Sequence, residues 1–246
     1  MSYFTFENDV ADYPVVQDVA GSVTHNGTLM GTATVAENIE LTGQALSLDG
    51  QGYVDLGITR DFEFADGDGT IEAWLKPEFS PQFNDPGWFG KGIDHRGITK
   101  ERISLKVHGD YSGMTTTTIS GGRHDAPIEL SLGTWIHVAV VFSMGRTKFY
   151  VDGQLIEGSG IGAFGPNVPP ARARIGATGL GRERDNFVGQ IDEFAAYGDP
   201  LSAESVHAHY QAFAFTRDQL FFNTDIGADM IGHNETAYLR FPFTVD

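Results

Sequence analysis

The residues best suited to bind a ligand are concentrated between Pro86 and His124, in a chain that is otherwise strongly acidic. Aromatic faces stack on sugar rings, and arginine and histidine donate hydrogen bonds to hydroxyl and carboxylate groups. The pattern favours a carbohydrate-binding cluster, although Trp88 could instead belong to the core and the charges to a solvated rim. The predicted ligand-binding residues are Trp88, His95, Arg96, Arg102, His108, Tyr111, Arg123 and His124.

The same segment leaves an enzymatic alternative open. A polysaccharide lyase neutralises a uronate and abstracts a proton, and four residues here have suitable side chains: Arg102, His108, Tyr111 and His124. A glycoside hydrolase needs two carboxylates on one face. The acidic strand Ile191-Asp-Glu193 has its carboxylates on adjacent residues, which strict alternation would point to opposite faces. The pattern therefore argues against hydrolysis by paired carboxylates and favours a non-catalytic module.

Residue type and spacing exclude several other sites. The chain has no cysteine, so disulfides, thiolate metal sites and cysteine nucleophiles are ruled out. His207 and His209 are two residues apart on a predicted helix and do not face each other as zinc ligands would. His137 lies in an apolar strand, and we expect it to be a hydrogen-bonded core residue.

Composition limits the classes of partner. The 246 residues include 33 acidic and 16 basic side chains, giving a net charge of −17, which disfavours nucleic acid because phosphate neutralisation needs clustered lysine and arginine. No apolar run is long enough to span a membrane, and the first residues show no signal-peptide pattern. At 41% hydrophobic residues, the chain can bury one sizeable core.

Short alternating segments predict strands along most of the chain. We expect a hairpin in which Ala45 to Leu48 pairs with Tyr53 to Leu56. A second hairpin is predicted around Asp152-Gly153, because this dipeptide supplies the positive φ values of a type I′ turn. Trp135 to Phe142 is apolar on both faces, which indicates a central strand covered on both sides.

One helix is predicted near the end of the strand-rich region. Ser202 can cap it, and Val206, Tyr210 and Phe213 recur at helical spacing on one face. Many short strands followed by one short helix indicate an all-β fold of two antiparallel sheets packed face to face. Residues 1–213 form the predicted sandwich, and residues 214–246 are either an extension of it or the start of a following β module.

A series of short motifs, in a fixed order over roughly residues 1 to 213, identifies a family resemblance. The motifs are Phe4 to Glu7, Asp18 to Gly21, His25 to Thr28, Ala45 to Gly50, Tyr53 to Val54, Thr70 to Pro77, Gly133 to Ala139, Phe149 to Gly153, Gly189 to Phe194 and Leu201 to Glu204. Together they resemble the laminin-G-like, concanavalin A-like lectin/glucanase jelly roll. The resemblance implies a domain of a larger exported bacterial protein.

The resemblance also implies a Ca²⁺ ion that joins the first strand to the strand closing the sheet. Its expected ligands are Asp192 on the late strand and Asp18 and Asn26 in the first loop, with backbone carbonyls of Glu7 or His25. Calcium takes six to eight hard oxygen ligands, so a few carboxylates with carbonyls suffice. At Asp18 the chain departs from the denser Asp-x-Ser-Gly-Asn-Gly-Asn run of the family.

The predicted function is a calcium-stabilised, non-catalytic recognition module that binds carbohydrate or a cell-surface glycan. Jelly-roll glucanases carry a Glu-x-Asp-x-x-Glu strand, which this sequence lacks. The expected setting is extracellular or at the cell surface, with other domains of the parent chain as partners. The alternatives are a polysaccharide lyase or glycoside hydrolase on the same scaffold, and a purely structural or adhesion spacer.

Overall fold

The computed structural model describes residues 1–7, 15–19, 26–38, 40, 43–59, 62, 64, 67–81, 84–95, 98–118, 123–156, 171–178 and 185–219. At residues 93–95, 98–102, 117–118 and 214–219 this description covers the backbone alone. The strands are β1 (Ser2–Phe4), β2 (Val15–Val16), β3 (Gly27–Met30), β4 (Thr34–Glu37), β5 (Gln44–Asp49), β6 (Tyr53–Thr59), β7 (Gly69–Pro77), β8 (Gly87–His95), β9 (Ile98–Val107), β10 (Gly113–Thr118), β11 (Arg123–Pro127), β12 (Ile136–Ser143), β13 (Arg146–Val151), β14 (Gln154–Ile156), β15 (Ala171–Ile175) and β16 (Val188–Tyr197). The helix α1 follows (Ala203–Gln219).

The strands form two antiparallel sheets. Sheet A has the order β14-β13-β12-β7-β16-β5-β4, and β1 pairs with β16 outside this path. Sheet B has the order β11-β10-β9-β8-β15-β6-β3-β2. The all-β jelly-roll sandwich with one short helix that the sequence predicts is therefore confirmed.

Phenylalanine side chains hold the two sheets together. Phe194 of sheet A is fully buried, and its ring centroid lies 5.3 Å from Phe89 of sheet B and 6.2 Å from Phe4 on β1. The ring centroid of Phe62 lies 5.1 Å from that of Phe89 and 6.4 Å from that of Phe194. Such tilted ring pairs add to the free energy gained from burying their area.

The hairpin predicted between Ala45 to Leu48 and Tyr53 to Leu56 is wrong. β5 pairs with β4 and β16 in sheet A, whereas β6 pairs with β3 and β15 in sheet B. The turn at residues 50–52 therefore carries the chain from one sheet to the other. Leu46 and Val54 are both fully buried and reach the same core from opposite sides, so alternation alone cannot distinguish this arch from a hairpin.

The other two strand predictions are confirmed. β13 and β14 form a hairpin in which Asp152 and Gly153 have φ values of 48° and 74°. β12 lies between β13 and β7, and both of its faces are buried. Val138 and Val140 face the other sheet, while Ala139 and Val141 pack with Val206 of α1.

α1 covers part of the outer face of sheet A, as its predicted apolar face requires. The Ser205 N–H donates to Ser202 Oγ at 3.1 Å, so Ser202 caps the helix. Val206 is fully buried, and Tyr210 and Phe213 pack against Trp74 of β7. The helix continues to Gln219, across the boundary predicted at residue 213, and residues 220–246 lie outside the described part of the chain.

A β-bulge interrupts β16 at its acidic pair. The register with β7 shifts between Asp192 and Ala195, and Glu193 has a φ of 50°. Asp192 is the register partner of Trp74, and Glu193 lines a cavity together with Trp74. Strict alternation therefore fails here, and the prediction that Asp192 and Glu193 point to opposite faces is wrong because the bulge re-aims one of them.

Candidate functional site

The register of sheet B divides its side chains into a core-facing row and an outer row. The core-facing row includes Val54, Ile175, Phe89, Leu105, Thr116 and His124. The neighbouring outer row includes Thr28, Asp55, Arg174, Gly90, Ser104 and Arg123. The outer row therefore carries charged, polar and glycine residues across the whole sheet.

Two arginines of β15 form the charged centre of this outer face. Arg172 is paired with the Asp55 carboxylate of β6, and its own side chain stays 40% exposed. The Arg174 guanidinium lies 5.7 Å from the ring centroid of Tyr53, a cation–π contact. Asp55 also accepts a hydrogen bond of 2.8 Å from the Gly57 N–H, which fixes its carboxylate beside Arg172. The group therefore combines the aromatic ring of Tyr53, two guanidinium groups that donate hydrogen bonds and one carboxylate that accepts them.

β8 places a strip of two buried glycines beside this group. Its outer-face positions opposite Arg174 and Arg172 are Gly90 and Gly92. Glycine inside a strand carries no side chain and often marks a place where another group approaches the backbone closely. Ser104 of β9, opposite Gly90, is fully buried at the bottom of this strip. The glycine strip and the arginines beside it form a candidate ligand-binding face, in which Arg172 is 40% exposed and Arg174 is 9% exposed.

A second polar group lies at the β11 end of the sheet. Arg123 Nε donates to the Asp125 carboxylate at 2.9 Å, and Arg123 Nη2 lies 3.3 Å from Asp85 Oδ2. His108 Nε2 lies 3.3 Å from Asp125 Oδ1. Partial burial opposes ionisation of Asp125, but its hydrogen-bond partners outweigh burial and hold the pKa of this carboxyl below its ordinary value. Arg123 is 57% exposed, so this predicted ligand-binding residue is accessible.

Two other predicted ligand-binding residues lie in the interior. Trp88 is 1% exposed and belongs to the core, because the register shift between Gly87 and Phe89 places it at a bulge. His124 is 6% exposed on the core-facing row, and burial lowers its pKa. These positions correct the prediction for Trp88 and His124, neither of which presents a free face to a ligand on the outer side of sheet B.

Tyr111 is also committed to the fold. Its ring stacks on Phe79 with centroids 4.6 Å apart, and its hydroxyl donates to the Phe79 carbonyl. The side chains of His95 and Arg102, and the whole of Arg96, lie outside the described part of the chain, so their roles stay predictions.

Sequence reasoning missed Tyr53, Asp55, Arg172 and Arg174. The alternation Ala171-Arg-Ala-Arg-Ile175 could have found the two arginines, because period two puts both on one face.

Asp192 occupies a buried, oxygen-rich position on the other sheet. It is 2% exposed, and its Oδ1 accepts a hydrogen bond of 2.8 Å from the Glu193 N–H. Burial raises its pKa to about 8, and the nearby charge of Glu7 adds to this while Asn38 partly offsets it. Glu7 Oε1 in turn accepts from the Gln44 N–H at 3.1 Å. Two carboxylates and an amide thus meet where β1, the β4–β5 connection and β16 come together.

Asp18 and Asn26 fix the first loop to β1. Asp18 Oδ1 accepts from the Tyr3 N–H at 2.9 Å, and Asn26 Oδ1 accepts from the Asp18 N–H at 3.2 Å. Among the described residues, no group of three or more acidic or histidine side chains is arranged to hold a metal. The donors at Asp192 fit calcium by chemistry, since amide and backbone oxygens can complete a shell begun by two carboxylates. The calcium ligands Asp18, Asn26 and Asp192 stay predictions.

Comparison with known proteins agrees with this fold. Residues 48–207, more than half of the chain, match the family model of the concanavalin A-like lectin/glucanases superfamily. No curated protein sequence matches the chain. Within the described residues, no helix has both the length and the apolar character needed to cross a lipid bilayer.

Three solved structures illustrate the structural similarity. Domain 4 of AbnA, a GH43 extracellular arabinanase from Geobacillus stearothermophilus in complex with arabinotriose, has a TM-score of 0.62 at 19% identity, covering 85% of this chain and 97% of that domain. A Trypanosoma rangeli sialidase gives 0.64 at 16% identity, covering 87% of this chain but only 33% of the sialidase. The receptor binding domain of botulinum neurotoxin C/D mosaic serotype gives 0.61 at 13% identity, covering 86% of this chain and 50% of that one. At these identities the similarity establishes the fold.

Proposed function

Because the chain belongs to the concanavalin A-like lectin/glucanase superfamily, we propose that it is a non-catalytic recognition module that binds carbohydrate on the outer face of sheet B. The observation that carries this proposal is the group of Tyr53, Asp55, Arg172 and Arg174 beside the glycine strip of β8. Sugars are recognised by aromatic faces together with donors and acceptors that bind hydroxyl groups. A relative of the same fold, the arabinanase domain, is bound to arabinotriose.

The arginines also indicate which sugars would bind best. The chain has a net charge of −17, so a local pair of arginines on this face is a departure from its overall charge. Guanidinium groups bind carboxylates with two parallel hydrogen bonds, in addition to binding hydroxyls. Glycans with uronate or other acidic groups are therefore the proposed preferred class, with neutral oligosaccharides binding more weakly.

The non-catalytic part of the proposal is supported by the positions of two of the four predicted lyase residues, Tyr111 and His124. Tyr111 donates its proton to a backbone carbonyl, and His124 lies on the core-facing row of sheet B. A general acid or base must be within hydrogen-bond reach of the proton that it transfers. Neither residue meets this requirement for a glycan on the outer face.

Calcium belongs to the proposal as a structural ion. Bound between Asp192, Glu7 and Asn38, it would neutralise two carboxylates and join β1, the β4–β5 connection and β16. Asp18 and Asn26 lie on the first loop and would complete or support the site from that side.

The setting we propose is extracellular or at a cell surface, within a larger protein. The chain spans about a third of the sialidase chains and half of the toxin domain that it matches. Other domains of a parent chain are therefore proposed partners, and an adhesion role would follow from glycan binding at a surface.

The test is binding to an array and to affinity gels of acidic and neutral polysaccharides, with Ca²⁺ present. The Arg172→Ala variant is expected to bind its best glycan at least about tenfold more weakly, because a hydrogen bond to a charged group contributes about 1.5–3 kcal/mol. Arg146→Ala is the matched control, since Arg146 is an exposed arginine on β13 of sheet A. It is expected to bind like the unmodified protein.

Retention of full affinity by Arg172→Ala, with folding unchanged by circular dichroism, would contradict the assigned face. Absence of binding to every glycan class, in a protein that calcium still stabilises, would instead support a structural spacer. Turnover of a uronate polysaccharide would establish the lyase alternative.

A further inference from the structure

The outer face of sheet B carries exposed apolar side chains on β2, β3 and β6, close to its two arginines. They are Val15, Met30 and Ile58, which are 37%, 37% and 69% exposed. The strand register puts Val15 and Met30 on the same face as Asp55 and Tyr53. Single exposed apolar residues are common on protein surfaces, whereas several on one face beside charged groups indicate a contact with a ligand.

A β-bulge in β6 turns Ile58 toward this face. The register partner of Arg172 on β15 is Ile58. The partner of Arg174 is Asp55, so two steps along β15 correspond to three along β6. Gly57 lies within the longer path with a φ of 73°, a left-handed conformation that favours glycine. Its N–H donates to Asp55 Oδ1 at 2.8 Å, which stabilises the bulge.

The bulge reverses the alternation that the residues of β6 would otherwise follow. Counted from the buried Val54, period two would put Ile58 in the core and Thr59 on the outer face. In the structure Ile58 is 69% exposed and Thr59 is 8% exposed. Exposing an isoleucine while burying a threonine gives up favourable burial of apolar area. Bulges that re-aim a side chain are found beside functional sites, which indicates that Ile58 contacts a ligand.

Ile58 lies directly beside the guanidinium-bearing side chain of Arg172, which is 40% exposed. Opposed residues of an antiparallel pair have Cβ atoms about 4.5–5.5 Å apart. Arg172 Nη1 donates to the Asp55 carboxylate, and within the described residues Arg172 makes no other hydrogen bond or ion pair. Its Nε and Nη2 therefore stay available to donate to an anion, while Asp55 holds the side chain in place.

The neighbouring arginine and isoleucine select for a ligand that joins an anionic group to an apolar one. A carboxylate suits the guanidinium group of Arg172, because the two can form parallel hydrogen bonds. A hydroxyl group gains nothing from contact with Ile58, whereas the methyl of an acetyl group buries apolar area against it. In an acetylated uronate the carboxylate and the acetyl group are carried by one sugar ring, so a single sugar offers both.

We propose that the preferred ligand of this face is an acetylated uronate glycan, whose carboxylate binds Arg172 while its acetyl group packs on Ile58. This inference rests on the carbohydrate function proposed above and narrows its ligand class. Val15 and Met30 extend the apolar surface toward the β2 edge of the sheet, where acetyl groups on adjoining sugars contact them. Uronate glycans without acetyl groups leave these side chains in water and bind more weakly.

The test is titration calorimetry of the whole chain with O-acetylated mannuronate oligosaccharides and with the same oligosaccharides after alkaline deacetylation. The two ligands have the same charge and length and differ in the acetyl groups alone. The unmodified protein is expected to bind the acetylated form at least about fourfold more tightly, the effect of burying one methyl group. Ile58→Thr keeps a β-branched side chain suited to a strand and is expected to reduce this ratio below about twofold.

The matched control is Leu155→Thr, because Leu155 is 49% exposed on β14 of sheet A, and it is expected to keep the full ratio. Equal binding of the two ligands to the unmodified protein, or an unchanged ratio in Ile58→Thr, would overturn this inference and leave the carbohydrate function standing. The same holds if the acetylated ligand fails to bind while another acidic glycan binds. If no glycan of any class binds, the inference and the proposed function fail together.

Discussion

Chelation of calcium is expected to lower the melting temperature of this protein by about 5–10 °C relative to the protein in excess Ca²⁺. Asp192 is buried beside Glu7, so without a cation one carboxylate must be neutral or both must repel each other. A ligand at a hundred times its Kd stabilises the folded state by about 2.7 kcal/mol. For a chain of this size, each 1 kcal/mol shifts the melting temperature by about 2–4 °C. Differential scanning calorimetry with and without chelator measures this shift.

The variant Asp192→Asn separates a specific ion site from a general salt effect. It removes the buried charge while keeping a similar shape, so its melting temperature is expected to be the same with Ca²⁺ and with chelator. Glu129→Gln, at an exposed position, is the control and should retain the full calcium effect. A calcium-induced shift of equal size in Asp192→Asn would mean that the ion binds elsewhere.

Replacing Phe194 by alanine is expected to destabilise the protein by about 3–5 kcal/mol, the range for deleting a buried phenylalanine side chain. Phe194 is fully buried and contacts Phe4, Phe62 and Phe89, so its loss opens a cavity between both sheets and the first strand. Chemical denaturation by urea, followed by far-ultraviolet circular dichroism, measures the change in unfolding free energy.

Leu155→Ala is the control for this experiment, because Leu155 is 49% exposed on β14 and its truncation leaves the core intact. Its unfolding free energy is expected to change by less than about 0.5 kcal/mol. A Phe194→Ala variant as stable as this control would show that the sheets are not held together by the phenylalanine group.

Much of the fold follows from local patterns in the sequence. Asp152-Gly153 specifies its turn by backbone conformation, and β12 is apolar on both faces because the other sheet covers one and α1 the other. Pairing between strands is a tertiary property and is harder to predict. β5 and β6 have the same alternation that a hairpin would have, yet they belong to different sheets.

The candidate site shows where alternation stops being informative. Register shifts occur at Trp88 and at Asp192, and a bulge moves a side chain to another face without any change in the residue pattern. Trp88 was therefore predicted on a ligand-binding surface and lies in the core. Arg172 and Arg174 alternate regularly against β8, but their register with β6 shifts between them. The chemistry of their face depends on Tyr53 and Asp55, which only the pairing of β6 with β15 brings beside them.

The central claim is that glycans bind on the outer face of sheet B. Nuclear magnetic resonance mapping of backbone amide shifts, during titration with the best oligosaccharide from the array, tests it most directly. We predict that the largest shifts fall at residues 53–57, 90–92 and 172–174, on the three adjacent strands β6, β8 and β15. Shifts confined to α1 and the outer face of sheet A would contradict the account.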